Sequence, residues 1–198
     1  YEERFFYLTM DETDIVTGRH LKKVPKAVQE ICDNLAKKPS VVMICITCVD
    51  ALLGTDMERI CRKAEEKAGL PVRPCYMYAL TREGRKPPMV HVRQSLYSLL
   101  EPKKKKGNVV NLLGFFSTLM DDCELYGMLE KAGVKTIHEI SRCKDYEEYQ
   151  TMAEANFNLV LHPEARFAAE DFHENLKIPF IELRRLYQID KITKQYQA

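Results

Sequence analysis

A chain of 198 residues that is 45% hydrophobic can bury one or two cores, as soluble globular proteins do. Its formal net charge of +1, with 30% charged residues of both signs, excludes the strong basic field of nucleic-acid-binding and membrane-surface proteins. No apolar run is long enough to span a membrane. Seven dispersed cysteines are typical of a reducing compartment, so we expect a cytoplasmic protein that contacts neither nucleic acid nor membrane.

In the first half of the chain, apolar runs alternate with amphipathic segments. Strands are predicted at 4–9, 41–48 and 70–78, helices at 25–37, 56–68 and 90–100, a turn at 49–53 and a loop at 78–88. Pro25 suits the first turn of its helix, and Thr55 with Glu58 forms a capping box for the next, which Gly69 ends. Strands that alternate with helices pair in parallel, with right-handed crossovers.

Four consecutive lysines divide the sequence at 103–107. They repel each other and cannot pack, so we predict a solvated linker there, with phosphate binding as the minor alternative. Beyond the linker, strands are predicted at 108–116, 134–140, 157–161 and 179–183, and helices at 118–133, 146–155 and 164–175.

The whole pattern predicts an α/β fold of two doubly wound, mainly parallel-sheet Rossmann-like subdomains. The first occupies 1–102 and the second 108–187. A helical tail at 188–198 is predicted to lead toward a third domain that is absent from this chain. Because the first residue is not a methionine, we expect the chain to be a piece of a longer protein.

Cys48 ends the apolar run VVMICITC and is predicted to lie at the carboxyl end of a parallel strand. Ligands bind at this edge of open α/β sheets, because the loops leaving the strands line a crevice there. Cys45 lies three residues earlier and should point to the opposite face, so we expect it in the core rather than in a redox or zinc C-x-x-C pair. The structural alternative is that Cys48 serves only as a small buried hydrophobic residue.

His162 follows the predicted strand 157–161 and therefore occupies the same kind of strand end as Cys48. Imidazole is a common metal ligand, so His162 is a candidate for binding a cofactor. The structural alternative is that His162 caps the following helix or forms a local hydrogen bond.

Several motifs resemble the nitrogenase component 1 family, which includes nitrogenases and nitrogenase-like reductases. They are DIVTG at 14–18, TCV at 47–49 followed by LGTDME at 53–58, GLPVR at 69–73, and the segment 156–182 with its NLV and IPFIE runs. The resemblance implies that Cys48 is a ligand of an iron–sulfur cluster, shared with cysteines upstream of this chain and with a second subunit.

The resemblance also bears on two histidines. At the position of His162, nitrogenases carry a cysteine that holds the large metal cofactor, so the imidazole replaces a thiolate in this sequence. His91 lies where the family places substrate-side residues and is a second candidate for binding a cofactor. The implied second ligand is either another metal cofactor or a tetrapyrrole substrate.

The leading functional prediction is the catalytic subunit of a nitrogenase-like oxidoreductase. The resemblance implies a heterotetramer or homo-oligomer with a paralogous subunit. This complex would receive electrons from an ATP-dependent iron–sulfur reductase and reduce a small molecule or a tetrapyrrole. We expect this piece alone to be inactive and to bind no cofactor. Two alternatives remain, a scaffold for metal-cofactor assembly and a non-catalytic α/β ligand-binding module.

Overall fold

The computed structural model divides the chain into two units, 1–95 and 96–198. It describes residues 4–46, 48, 53–77, 86–183 and 189–197. Both units contain parallel strands with helices, so the predicted α/β class is confirmed. None of the helices in these described ranges is both long and apolar enough to cross a lipid bilayer.

In the first unit, a pair of parallel strands packs against two helices. Its elements are α1 (Glu12–Val16), α2 (His20–Asn34), β1 (Val42–Ile46), α3 (Met57–Ala68), β2 (Val72–Tyr76) and α4 (Pro88–Tyr97), the last of which reaches the division between the units. Strand residues Val42, Ile44 and Ile46 alternate with outward residues and pack against α2 and α3. Gly69 ends α3 in a left-handed conformation, as predicted.

Three local predictions for this unit were wrong. Residues 5–10 form no strand, and their apolar side chains from Phe5 to Leu8 are exposed. Helix α2 begins at His20, so Pro25 lies inside it rather than in its first turn. The side chain that caps α3 belongs to Asp56, which accepts a hydrogen bond from the Arg59 backbone at 3.0 Å.

Parts of other predictions lie outside the described residues. They concern the turn at 49–53, the loop at 78–88 and the start of the helical tail, because residues 49–52, 78–85 and 184–188 are not described. The described part of the tail is a helix, α8 (Ile189–Gln197).

The second unit contains a four-stranded parallel sheet in the order β4-β3-β5-β6. Its elements are β3 (Val109–Leu113), α5 (Glu124–Lys131), β4 (Thr136–Glu139), α6 (Tyr146–Gln150), β5 (Phe157–Val160), α7 (Arg166–Leu176) and β6 (Phe180–Glu182). Every residue of β3 is buried, which is typical of a central strand covered on both faces. The four predicted strands of this half are therefore all present, each shorter than predicted.

Helix α5 begins at Glu124, six positions later than the predicted start at 118. The reason is a buried carboxylate at the end of β4. Glu139 accepts hydrogen bonds from the Leu119 backbone at 3.1 Å, from the Tyr126 hydroxyl and from the Arg142 side chain. These contacts tie the irregular loop before Glu124 to the end of β4, and the helix begins only after this loop.

The lysine-rich segment 103–107 belongs to the second unit. Lys105 Nζ donates to the Ala153 carbonyl at 2.7 Å, and the Lys106 backbone donates to the Glu154 carbonyl at 2.8 Å. Most of the segment is exposed. Its role as a linker between subdomains stays a prediction.

Candidate functional site

The sheet of the second unit has a topological switch point between β3 and β5. The chain continues from β3 to β4 on one side of β3 and then returns to β5 on its other side. At such a point the loops leaving the two strands diverge and open a crevice at the carboxyl edge of the sheet. Gly114 follows β3 and His162 follows shortly after β5, so both residues lie at this edge.

His162 has an extended backbone and a half-exposed imidazole. Its Nδ1 accepts a hydrogen bond from the Glu164 backbone at 3.3 Å, and its ring packs edge-on against Phe115 with centroids 5.4 Å apart. The predicted local capping bond is therefore present. It engages the Nδ1 lone pair, which places the proton of a neutral ring on Nε2.

A carboxylate lies beside the same imidazole nitrogen. Glu164 Oε2 is 3.7 Å from His162 Nδ1. A histidine that binds a metal through Nε2 carries its proton on Nδ1, and this proton is usually donated to a carboxylate or carbonyl. Glu164 can supply that acceptor if Nδ1 exchanges its capping bond for a bond to the carboxylate.

Gly114 permits the close approach of the two loops at the switch point. A Cβ atom at this position would stand 2.9 Å from the His162 backbone nitrogen and 3.0 Å from the His162 Cβ. Both contacts are with atoms that cannot move without shifting the loop. The absence of a side chain at Gly114 therefore allows His162 to lie this close to the loop after β3.

An ion pair that the sequence did not predict joins the start of α7 to the end of β6. Arg166, at the start of α7, donates from Nε and Nη2 to the two carboxylate oxygens of Glu182, at the end of β6, at 2.8 and 2.9 Å. The carboxylate raises the pKa of the guanidinium, so Arg166 stays charged. The only sequence signal was the position of Glu182 at the end of the IPFIE run.

A second network, around Glu139, fixes the loop that carries Phe115. Arg142 Nη2 donates to the Leu119 carbonyl at 3.2 Å and to Asp121 at 2.6 Å. Asp121, followed by Tyr126 and Glu139, raises the pKa of the Arg142 guanidinium. The loop after β3 is thus tied to the ends of β4 and α5 by charged and backbone groups.

Cys48 is exposed and lies two positions beyond the end of β1 at Ile46. Its place after the strand agrees with the prediction, while its role as a cluster ligand stays a prediction. The expectation for Cys45 was wrong, because its side chain is exposed rather than part of the core. The strand residues that face α2 and α3 are Ile44 and Ile46, and period-two alternation turns Cys45 to the opposite face.

His91 lies on α4 and is half-buried. Its ring packs edge-on against Tyr76, the last residue of β2, with centroids 5.8 Å apart. The neighbouring Arg93 is buried and donates to the Met89 carbonyl of its own helix at 2.9 Å. His91 therefore stands near a strand end of the first unit, and its role in binding a cofactor stays a prediction.

These donors fit a cluster only if other residues complete the ligand set. Within the described ranges, no group of three or more His, Cys, Asp or Glu side chains is arranged to hold a metal ion. Cys48 offers one thiolate and His162 one imidazole, so each suits a metal group whose further ligands lie outside these residues.

Parallel α/β units with polar side chains at the carboxyl ends of their strands are typical of proteins that bind ligands or cofactors at that edge. Sequence comparison identifies the family, because residues 2–198 match the one described as nitrogenase component 1 type oxidoreductase. The chain belongs to this family, and the predicted resemblance is confirmed.

The relatives include two proteins named nitrogenase iron-molybdenum cofactor biosynthesis protein NifE. The one from Nostoc sp. is 28% identical over 96% of this chain and 39% of its own length, and the one from Rhizobium meliloti is 30% identical over 89% and 38%. The chain thus spans less than half the length of these relatives. The solved structure of nitrogenase Cp1 at pH 5 shares the fold, with a TM-score of 0.67 and 23% identity over 94% of this chain and 38% of that one.

Proposed function

We propose that the full-length protein is a scaffold on which a metal–sulfur cofactor is assembled and then handed on. The sequence predicted this as an alternative to a catalytic subunit. Support comes from the names of the relatives, which describe cofactor biosynthesis. The observation that carries the proposal is His162 at the switch point, with Nδ1 at 3.3 Å from the Glu164 backbone nitrogen and 3.7 Å from the Glu164 carboxylate.

A neutral imidazole suits a cofactor that must leave again. The resemblance places His162 where nitrogenases use a cysteine, and an anionic thiolate binds iron more strongly than imidazole does. When Nδ1 bonds to the Glu164 N–H, its lone pair is engaged and the ring proton sits on Nε2. When Nδ1 carries the proton and donates it to the carboxylate, Nε2 is free to ligate. The choice between these two bonds would govern binding and release.

Cys48 would serve a different metal group in the same protein. An exposed thiol just after a strand can ligate iron jointly with residues of a partner, and a bound iron–sulfur cluster would supply electron transfer. By this proposal the partners are a paralogous subunit and an ATP-dependent iron–sulfur reductase, in the cytoplasm. The rival function is the catalytic nitrogenase-like subunit, which the description of the family as an oxidoreductase favours.

The test is metal and sulfide analysis of the full-length protein, produced without oxygen together with its paralogous partner. His162→Ala should lose the assembled cofactor and keep the cluster at Cys48, whereas Cys48→Ala should lose that cluster. His173→Ala is the matched control, because His173 lies exposed in the last turn of α7, away from the switch point. Metal content in His162→Ala equal to that of the control would contradict the proposed role of this site.

A further inference from the structure

Two cysteines stand side by side on the paired strands of the first unit. Cys45 of β1 and Cys75 of β2 are direct Cα partners in the parallel register. Residues in register on neighbouring strands point to the same face, and such strands lie about 4.8 Å apart. Disulfide-bonded residues have Cα atoms about 4.4 to 6.8 Å apart, so this pair meets the backbone requirement for a bond.

The two thiols differ in their access to solvent. Cys45 is exposed, whereas Cys75 is only 6% exposed. Burial, together with the neighbouring Cys45, raises the pKa of the Cys75 thiol to about 11. A reagent in solution therefore reaches Cys45 first, and Cys75 lies beside it on the neighbouring strand.

The other buried cysteine near these strands, Cys61, is not placed to form a disulfide with Cys45. Cys61 lies on α3 and packs in the core cluster with Val28 and Val72, on the helix-covered face of the strands. Cys45 points to the other face. Cys48 is the remaining exposed thiol close in sequence, and its pairing with Cys45 is one outcome of the test below.

We propose that Cys45 and Cys75 form an oxidisable dithiol, a modification site whose substrate is a low-molecular-weight disulfide such as oxidised glutathione. The Cys45 thiolate attacks one sulfur of that disulfide, which forms a mixed disulfide and releases one glutathione thiolate. Cys75 then loses its proton and attacks Cys45 Sγ, which forms the cross-strand disulfide and releases the second glutathione. The protein pair loses two electrons, and the small disulfide gains them and takes up both protons.

This disulfide would restrain the end of β1, which leads to Cys48. It would covalently join β1 to β2 one residue before both strands end, at Ile46 and Tyr76. The position of the Cys48 segment relative to β2 would then depend on the thiol redox state of the cell. The inference rests on the strand register and on solvent access, and it is independent of the proposed assembly function.

The experiment uses the full-length protein, incubated without oxygen with oxidised glutathione, then blocked with a maleimide and mapped by mass spectrometry. The expected product is a peptide pair linked through Cys45 and Cys75, which a dithiol reductant separates again. An unmodified Cys45, a Cys45–Cys48 linkage, or a glutathione adduct that stays on Cys45 of the unchanged protein would each overturn the proposal. This mapping needs no variant, so it does not depend on whether a substituted protein folds.

Variants then test the order of the two steps. Cys75→Ala should trap the glutathione adduct on Cys45, because the second thiol is missing. Cys45→Ser should leave Cys75 unmodified, since Cys75 is buried. Cys32→Ala is the control, because Cys32 is a half-buried cysteine of the same unit, and this variant should form the Cys45–Cys75 bond as the unchanged protein does. Modification of Cys75 at an unchanged rate in Cys45→Ser would contradict the proposed order.

Discussion

The backbone nitrogen of His162 lies 2.9 Å from the point where a Cβ atom on Gly114 would stand. The loops after β3 and β5 therefore approach each other closely at the switch point of the sheet, where Gly114 faces His162. It makes the glycine part of the site, although a glycine has no side chain to bind anything. A single methyl group at Gly114 should therefore displace His162.

Gly114→Ala should lower the free energy of unfolding of the second unit by about 1–3 kcal/mol, the usual cost of overpacking. Urea unfolding of the full-length protein followed by pulse proteolysis measures this change. Gly127→Ala is the matched control, because Gly127 lies inside α5 and, apart from its neighbours and the backbone of its own helix, no atom of the described residues lies within 4 Å of its Cβ position. Alanine there should raise stability by about 0.5–1 kcal/mol. Equal effects of the two substitutions would contradict the crowding at Gly114.

A buried pair of asparagines crosses the same sheet. Asn111 and Asn158 are in register on β3 and β5, both fully buried, and Asn111 Nδ2 donates to Asn158 Oδ1 at 2.8 Å and to the Met152 carbonyl at 2.9 Å. Among the residues that the structure describes, Asn111 Oδ1 and Asn158 Nδ2 find no hydrogen-bond partner. Burial of these two atoms therefore costs free energy that no hydrogen bond within the described residues offsets.

Replacing one member of this pair should cost more than replacing both. Asn111→Leu alone leaves Asn158 buried without its partner and should lower the free energy of unfolding by about 1–3 kcal/mol. Asn111→Leu with Asn158→Leu should cost less than the sum of the two single changes, because no amide is then left unpaired. A double-mutant cycle in urea measures the coupling. Additive single effects would show that the two side chains act independently.

His138 on β4 should make the stability of the second unit sensitive to acid. Burial lowers the pKa of His138, and Lys106 acts in the same direction, while Glu154 and Glu148 oppose it. The folded protein therefore binds this proton less readily than the unfolded chain, whose histidine pKa is about 6.5. The stabilising contribution is fully present above that pH and is lost as the pH falls through the lowered pKa of the folded state.

His138→Gln removes this titration. Between about pH 7.5 and pH 5.5, the urea midpoint of the variant should fall less than that of the unchanged protein. His173→Gln serves as the control, because His173 is exposed. If the His138 variant loses as much stability on acidification as the control does, His138 is not the acid-sensitive group.

The loop after β3 depends on one carboxylate. Glu139→Ala removes the acceptor of the Leu119 N–H and of the Arg142 side chain. Hydrogen exchange at the Leu119 amide should then become about tenfold faster, the effect expected from losing one charge-assisted hydrogen bond. Glu130→Ala, an exposed change on α5, should leave this exchange rate unchanged.

Local patterns were enough to predict most of the fold. The four strands of the second unit follow short apolar runs between turn signals, and Gly69 ends α3 as a left-handed cap. One error arose where a distant residue matters, because the loop before α5 is tied to Glu139, which follows the helix in sequence. The error at the start of α2 was local, since His20 and Lys23 in its first turns contact Asp14, only six and nine residues earlier.

The candidate site was predicted unevenly for the same reason. The position of His162 after a strand could be predicted from periodicity, and the structure places it at the switch point. The ion pair of Arg166 and Glu182 could not, because it requires β6 to lie beside β5. The exposure of Cys45 depends on which face of β1 the helices cover, and an apolar run without polar alternation does not indicate this.

Cofactor transfer is the most direct test of the proposed function. The full-length protein, purified without oxygen with its paralogous partner and its metal cofactor, is mixed with a cofactor-free nitrogenase component 1 protein, and the activity gained by that acceptor is measured. We expect the acceptor to gain activity, and we expect no sustained ATP-dependent reduction by the protein itself. His162→Ala should reduce the transfer at least about tenfold, because one metal–ligand bond and its carboxylate partner are lost. Sustained ATP-dependent turnover by the protein with its reductase, without transfer to the acceptor, would contradict the scaffold and favour the catalytic subunit.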